Sequence, residues 1–402
     1  MVLCANRERV GKTMITVLFV NSNVFLGGDT WSLGYLIESL KDEIKPIVLL
    51  REKDSPSFDF FNSRGVECIV YPYLMLYNPC IPPFWYKVKN VALHPWRARI
   101  FKRLRYELFC ALYVKKKLAG RKVDLIHTNR APIGIGSLLA KILNAGHVWH
   151  IREYMYYEGF QGELTVGLPR LKKLINKAEA RIVVSNPCRD WWNLKEENTW
   201  TLWDAVRSIN DCCYEKMKQP YLLFCSHWVN KAKGAGKVVA AYGMSGLFNS
   251  TDTHSVIRLK LVGSCEDEYK NELLTLAESY GCKEYVDFIP EQKDVKPFFA
   301  KAMAFINPSV NEGMGRTTAE AMFFGCPVIA HASGGTLDLI KDGKTGYLFN
   351  TVEECAELMK TVCATDQEEV ILRAQEFVKQ NSSVENYGKK VMEVYDSVLK
   401  TK

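Results

Sequence analysis

No run in this chain approaches the roughly 20 apolar residues that cross a bilayer. CxxC pairs, internal repeats and low-complexity segments are missing as well. The first absence leaves a soluble or peripheral protein. The thirteen cysteines are scattered and odd in number, which argues against a zinc cluster or a disulfide framework and points to a reducing compartment. Cys212 and Cys213 are adjacent and read as free thiols near a linker. A phosphate-binding P-loop also fails, because the "GKT" at 11–13 would need its first glycine where Asn6 stands, and no strand precedes it.

What remains is ordinary globular composition, 48% hydrophobic and 24% charged. At 402 residues the chain exceeds what one hydrophobic core usually supports, so two domains are expected. Residues 1–13 are expected to be a dispensable tail, such as an upstream start codon would add. The apolar run from Met14 is only about eight residues long and has no small-residue cleavage pattern, so it predicts a buried first strand rather than a signal peptide.

From Met14 short β-rich runs alternate with helical patterns: "MITVLFVN", "DTWSLGYLIESLK", "PIVLLR", "ECIVYP", "DLIHTN", "IGSLLAKILNA", "HVWHIREY" and "RIVVSN". Such alternation predicts a doubly wound parallel sheet with ligands outside the carboxyl ends of its strands. The polar stretch "RSINDCCYEKMKQP" at 207–220 interrupts the pattern and is the expected linker. A second alternation follows, from "YLLFCS" through "IRLKLVG", "VDFIP", "MAFINPS" and "PVIAH" to "GYLF". The expected domains are therefore 14–206 and 221–383, with the terminal helix 384–402 returning to the first. Two such domains would face each other across a cleft.

One stretch asks for chemistry. In "NEGMGRTTAEAMFFGCP" (311–327) two glycines bracket a methionine, a helix begins after Gly315, and Gly325 with Pro327 stops it. The free N–H groups and positive dipole of a helix start form an anion site. Arg316 opposes that dipole, so its cation is expected to serve something other than helix stability. Glu312 before the helix and Glu320 about one turn along it would reach different parts of one elongated ligand.

The order "LKLVGS", "YVDFIP", "AFINPSVNEGMGRTTAEAMFFGCPVIAHASGGTLDLIKDGKTGYLF" resembles the donor-binding domain of GT-B glycosyltransferases, in particular the retaining family-4 group with its two glutamates separated by seven residues. The resemblance implies two Rossmann-like domains and a nucleotide-sugar donor, by frequency a UDP-sugar. It implies that Glu312 contacts the sugar and that Glu320 accepts from the ribose hydroxyls. The backbone of Gly313, Met314 and Gly315 would line sugar and diphosphate. The family's basic pair falls in "FCSHWVNKAKGAGK", where Lys233 matches the lysine and Lys231 is a rival. Ser226, His227 and Trp228 stand where the arginine is usual, and Arg316 is the candidate to replace that cation. Gly27 and Gly28 follow the first strand where the family brings backbone near the diphosphate; a plain β–α turn is the other explanation. Near the reacting sugar the family often has a histidine. Arg152 takes that place here, with His150 on the same strand face. His127 and Asn129 end another strand.

Retention implies front-face displacement, with the departing phosphate taking the acceptor proton. No DxD triplet occurs, so no metal or other cofactor is expected. A GT-B relative such as a sugar-nucleotide epimerase, and a noncatalytic binding module, are the alternative classes.

Residues 85–122 hold twelve Lys or Arg against the single acid Glu107, with Trp85, Tyr86, Trp96 and Phe101 interleaved, while the whole chain carries a net +8. A basic helix with an apolar face suits an anionic membrane surface and a lipid-linked saccharide acceptor; nucleic acid and plain solvation are the competing explanations. Taken with the resemblance, this implies a cytoplasmic enzyme, peripheral on the inner face of the membrane, that builds surface polysaccharide or glycolipid.

Overall fold

The computed structural model describes residues 14–22, 24–79, 95–155, 162–164, 167–249, 256–310 and 312–401. The expected tail 1–13, Asn311, Trp85 and Tyr86 lie outside them. The strands in chain order are β1 (Ile15–Val20), β2 (Ile44–Leu50), β3 (Glu67–Val70), β4 (Tyr77–Pro79), β5 (Leu125–Thr128), β6 (Gly146–Ile151), β7 (Gly162–Leu164), β8 (Ala180–Val183), β9 (Thr199–Thr201), β10 (Tyr221–Trp228), β11 (Arg258–Ser264), β12 (Val286–Ile289), β13 (Ala304–Asn307), β14 (Val328–His331) and β15 (Tyr347–Phe349). They form a seven-stranded sheet in the order β3-β2-β1-β5-β6-β8-β9, a six-stranded sheet in the order β12-β11-β10-β13-β14-β15, and a small β4-β7 pair. Strands β1, β2, β3, β5 and β6 pair in parallel, as do all six strands of the second sheet. This is the α/β architecture the alternation predicts.

Both orders run 3-2-1-4 from one edge, so each sheet reverses direction beside its own first strand. In the first sheet the reversal falls between β1 and β5, in the second between β10 and β13. Loops leaving the carboxyl ends of such neighbours diverge and open a crevice between them.

Two compact units are present. One comprises Met1–His150, Glu163–Arg181 and Met392–Lys402, the other Ile151–Gly162 and Ile182–Val391. The first is built on the buried run Leu18, Val20, Ile47, Leu49 and Ile126, covered by helices that contribute Ala111, Val114 and Leu139. In the second, Leu222, Leu259, Leu261 and Ile306 pack on one side of the sheet with Val238, Val239 and Met359, while Leu223, Phe305 and Val328 pack on the other with Met322, Phe323 and Val378. Predominantly apolar strands of this kind are buried on both faces, as parallel sheets require.

Local signals set where helices begin. Ser55 caps the helix Pro56–Asn62, which has proline in its first turn, and Ser185 caps Asn186–Trp192 in the same way. Thr351 and Glu354 form a capping box at Val352–Ala364. The expected linker contains one short 3-10 turn, Ile209–Asp211, capped by Ser208.

Candidate functional site

In the second unit the crevice between β10 and β13 gathers charge. The loop after β10 turns through a 3-10 segment, Lys231–Lys233, held by Asn230, whose side chain accepts from the Lys233 N–H at 2.9 Å. Gly234 follows with φ +76, and a Cβ there would press on Pro308 at 3.1 Å, so the turn that aims Lys233 needs glycine. The loop after β13 carries Glu312. Lys233 Nζ donates to Glu312 Oε1 at 2.7 Å, and the Glu312 side chain is only 17% exposed.

Burial works to raise the Glu312 pKa. The Lys233 charge, with hydrogen bonds from Lys233, Ser309 and Asn307, outweighs it and holds the carboxyl below its ordinary value. The sequence-derived rival, Lys231, is turned elsewhere: its Nζ pairs with Glu272 at 2.8 Å. A hollow of about 20 Å³ here is lined by Ser226, Lys233, Asn307, Ser309, Glu312 and Thr317. A larger groove of about 700 Å³, along the helix Val352–Ala364, is lined by none of the residues that the sequence singles out.

The glycine segment is built by close approach. A Cβ on Gly313 would stand 2.1 Å from the Arg152 carbonyl oxygen, and one on Gly335 would stand 2.3 Å from the Gly313 carbonyl oxygen. Ser185 Oγ donates to the Gly313 carbonyl at 2.5 Å, and the Gly335 N–H donates to the Glu312 carbonyl at 2.8 Å. Met314 is buried, its sulfur accepting from the Asp204 N–H at 3.1 Å. Gly315, with φ +86, is the N-cap of the helix Arg316–Phe323, and Gly325, with φ +63, follows its end. The helix boundaries match the glycine and proline signals in the sequence.

Arg316, Glu320 and Phe324 follow at i, i+4 and i+8 and meet the 205–207 segment. Arg316 donates to the Ala205 carbonyl at 2.7 Å, Glu320 pairs with Arg207 at 3.1 Å, and the Arg207 guanidinium lies 5.4 Å from the Phe324 ring centroid. His227 Nδ1 lies 2.6 Å from Glu291 Oε1, next to Trp228, which is 49% exposed.

Two placements differ from the sequence-derived expectation. Strand β6 ends at Ile151, so Arg152 lies just beyond the strand that holds His150 and the shared-face argument does not extend to it. Its buried guanidinium forms an ion pair with Asp204, which also accepts from the Tyr387 hydroxyl at 3.3 Å. His150 sits inside the first unit, its Nδ1 3.2 Å from His127 Nε2, while His127 Nδ1 is 2.7 Å from the Tyr395 hydroxyl. Asn129 is likewise buried, donating to Asn21 Oδ1 at 3.0 Å. Buried polar groups are held by partners of this kind. Gly27 is the N-cap of the helix Gly28–Ser39 with φ −80, and neither it nor Gly28 takes a positive φ. The turn by itself therefore does not demand glycine at either position.

Sequence reasoning missed Asn230, Asn307, Ser309, Ser185, Asp204 and Arg207. Polar residues ending a buried strand in "AFINPS" are a usable signal for Asn307 and Ser309. Nothing local marks Asp204 or Arg207, which tertiary folding brings to their partners.

The family model that matches residues 214–389 is glycosyl transferases group 1. The match covers that segment, less than half of the chain. Within it, the segment takes in the Lys233–Glu312 crevice and the helix from Gly315. An uncharacterized glycosyltransferase of Haemophilus influenzae is 30% identical over 145 residues, 35% of this chain and 39% of that protein. Sulfoquinovosyl transferase SQD2 of Arabidopsis thaliana is 41% identical over 69 residues, 16% of this chain and 14% of its own. The chain thus spans about two fifths or less of these relatives. Among solved structures, Anabaena HepE in complex with UDP superposes with a TM-score of 0.75 at 18% identity, covering 95% of this chain and all of that one. A Rickettsia africae glycosyltransferase gives 0.73 at 18% identity, covering 97% of this chain and all of its own. The group 1 family and these neighbours share the GT-B fold, which is the fold of this chain.

Proposed function

We propose that this chain is a retaining glycosyltransferase that moves a sugar from a nucleotide-sugar donor, a UDP-sugar, to a hydroxyl of a saccharide or lipid-linked saccharide. The observation that carries the proposal is the Lys233–Glu312 pair at 2.7 Å, set at the β10/β13 crevice beside a helix start opened by Gly315. Support for UDP comes from HepE, solved with UDP and with UDP-glucose.

In this proposal Lys233 meets the donor diphosphate, whose negative charge grows as the glycosidic bond breaks. The backbone of Gly313, Met314 and Gly315 runs beside sugar and diphosphate, with the helix N-terminus adding a positive end. Glu312, kept ionised, accepts from sugar hydroxyls. Glu320 leaves Arg207 to accept from the ribose hydroxyls. Arg316 is the candidate second cation for the diphosphate, and its present acceptor is the Ala205 carbonyl. Arg152, paired with Asp204, lies with its carbonyl close against the Gly313 backbone. Gly27 and Gly28 stand at the N-terminus of a helix in the first unit, whose backbone N–H groups would suit a phosphate. His150, His227 and Lys231 lie on interior or carboxylate partners and take supporting roles.

The bond from the anomeric carbon to the β-phosphate oxygen breaks, and the bond to the acceptor oxygen forms on the same face. The acceptor proton goes to the departing diphosphate. No metal is assigned a part, and chelation with EDTA is expected to leave turnover intact. The deciding experiment measures nucleoside diphosphate release with and without acceptor. Acceptor-dependent release that falls at least about a hundredfold in Glu312→Gln, in a variant that still melts cooperatively, is expected. Release that ignores acceptor, or full activity in that variant, overturns the assignment.

A further inference from the structure

From Leu104 on, the helix Pro95–Leu118 is inverted relative to an ordinary surface helix. Cys110, Ala111, Val114 and Leu118 face the first unit's core, and Glu107 is 8% exposed. Four larger apolar side chains point outward instead. Leu104, Leu108, Phe109 and Leu112 are between 45% and 54% exposed.

At 3.6 residues per turn, Leu104, Leu108, Leu112 and Phe109 fall within one arc of about 140°, together with Arg105, Lys115 and Lys116. All three of those cations are exposed, and the Arg105 guanidinium lies 5.9 Å from the Phe109 ring centroid. Single exposed leucines are common. Four adjacent apolar side chains rimmed by charge of one sign mark an interaction surface.

We propose that this face docks the protein on an anionic lipid bilayer, with Leu104, Leu108, Phe109 and Leu112 entering the acyl boundary and Arg105, Lys115 and Lys116 meeting headgroup phosphates. Charge complementarity selects this occupant. A second copy of the chain would bring like cations together. A nucleic acid would satisfy the cations and leave four apolar side chains in water. An anionic membrane offers both an apolar phase and negative charge, and long lysine side chains reach its headgroups while their stems cover apolar surface. The sequence pattern pointed to the cations and to aromatic residues earlier in the segment; the structure adds the leucine stripe, which periodicity alone would assign to the core. The inference stands independently of the transfer reaction.

The test is flotation of the full chain with vesicles of phosphatidylcholine alone and of phosphatidylcholine mixed with phosphatidylglycerol. Flotation only with the mixed vesicles, weakened by added salt, is expected. The double variant Leu108→Glu with Leu112→Glu should lose flotation at least tenfold while keeping the wild-type melting temperature and monomer mass. Lys115→Glu with Lys116→Glu should lose it less and weaken its salt dependence. Flotation indifferent to lipid charge, wild-type flotation of the leucine variant, a dimer that this variant dissociates, or retention of duplex nucleic acid in place of vesicles would each overturn the proposal. Should the glutamate variant melt early, Leu104→Gln with Phe109→Gln asks the same question with neutral side chains.

Discussion

At the β1/β5 reversal of the first sheet, Asn129 donates to Asn21 at 3.0 Å and both are fully buried. At the β10/β13 reversal of the second sheet, Lys233 donates to Glu312 at 2.7 Å with the lysine side chain 43% exposed. One strand order thus produces two kinds of crevice. In the first, one neutral amide donates to the other and closes the position; in the second, an ion pair keeps opposite charges ready at an open edge. A neutral pair costs little to bury because both partners are satisfied. A charged pair costs more to bury, because both ions lose their hydration, and the Lys233–Glu312 pair keeps part of its contact with solvent. The order of strands therefore says where a ligand can sit, and the side chains say which reversal holds charge for one.

Replacing one member of each pair sharpens this contrast. The largest effect is expected from Lys233→Ala, which should weaken nucleoside diphosphate binding by about tenfold to a hundredfold, the range for a hydrogen bond to a charged group. Isothermal titration measures it, and unchanged affinity would take Lys233 out of the donor site. Asn129→Ala in the first unit should instead cost about 1–3 kcal/mol of stability by stranding the Asn21 amide. The thermal stabilisation produced by nucleotide should stay as in wild type, and its loss would erase the distinction between the two crevices.

The smallest effect concerns pH. Since Lys233 and its neighbours hold the Glu312 pKa below the ordinary value of 4.5, the stability gained from ionised Glu312 is complete above that value. It is lost as pH falls through the lower, folded-state value. The melting-temperature difference between wild type and Glu312→Gln should therefore hold steady down to about pH 4.5 and close only below it. A gap that closes at higher pH would mean that the pair does not hold the carboxylate.

Much of the fold was legible because its signals are local. Apolar runs four to eight residues long with helical patterns between them can satisfy their backbone groups only as a buried parallel sheet. Gly315, Gly325 and Pro327 mark the helix Arg316–Phe323 because their own backbone requirements do so. The two glutamates were legible through their spacing. Less legible was which lysine would meet Glu312: Lys231 and Lys233 are two residues apart, and only the 3-10 turn capped by Asn230 sends one to Glu272 and the other to Glu312. The outward leucines of the helix Pro95–Leu118 were hidden for a related reason. Periodicity shows that a helix has two faces and does not say which one meets the sheet.

By itself the sequence determined the alternation of elements, the helix start at 315–316 and the family resemblance, since these rest on backbone geometry and short-range spacing. Tertiary structure decided the partners. Arg152 goes to Asp204, Arg207 to Glu320 and Arg316 to the Ala205 carbonyl, and each of these pairings joins residues at least fifty positions apart. A buried or half-buried charge takes the opposite charge or carbonyl that packing delivers to it, and packing depends on every element of the fold at once.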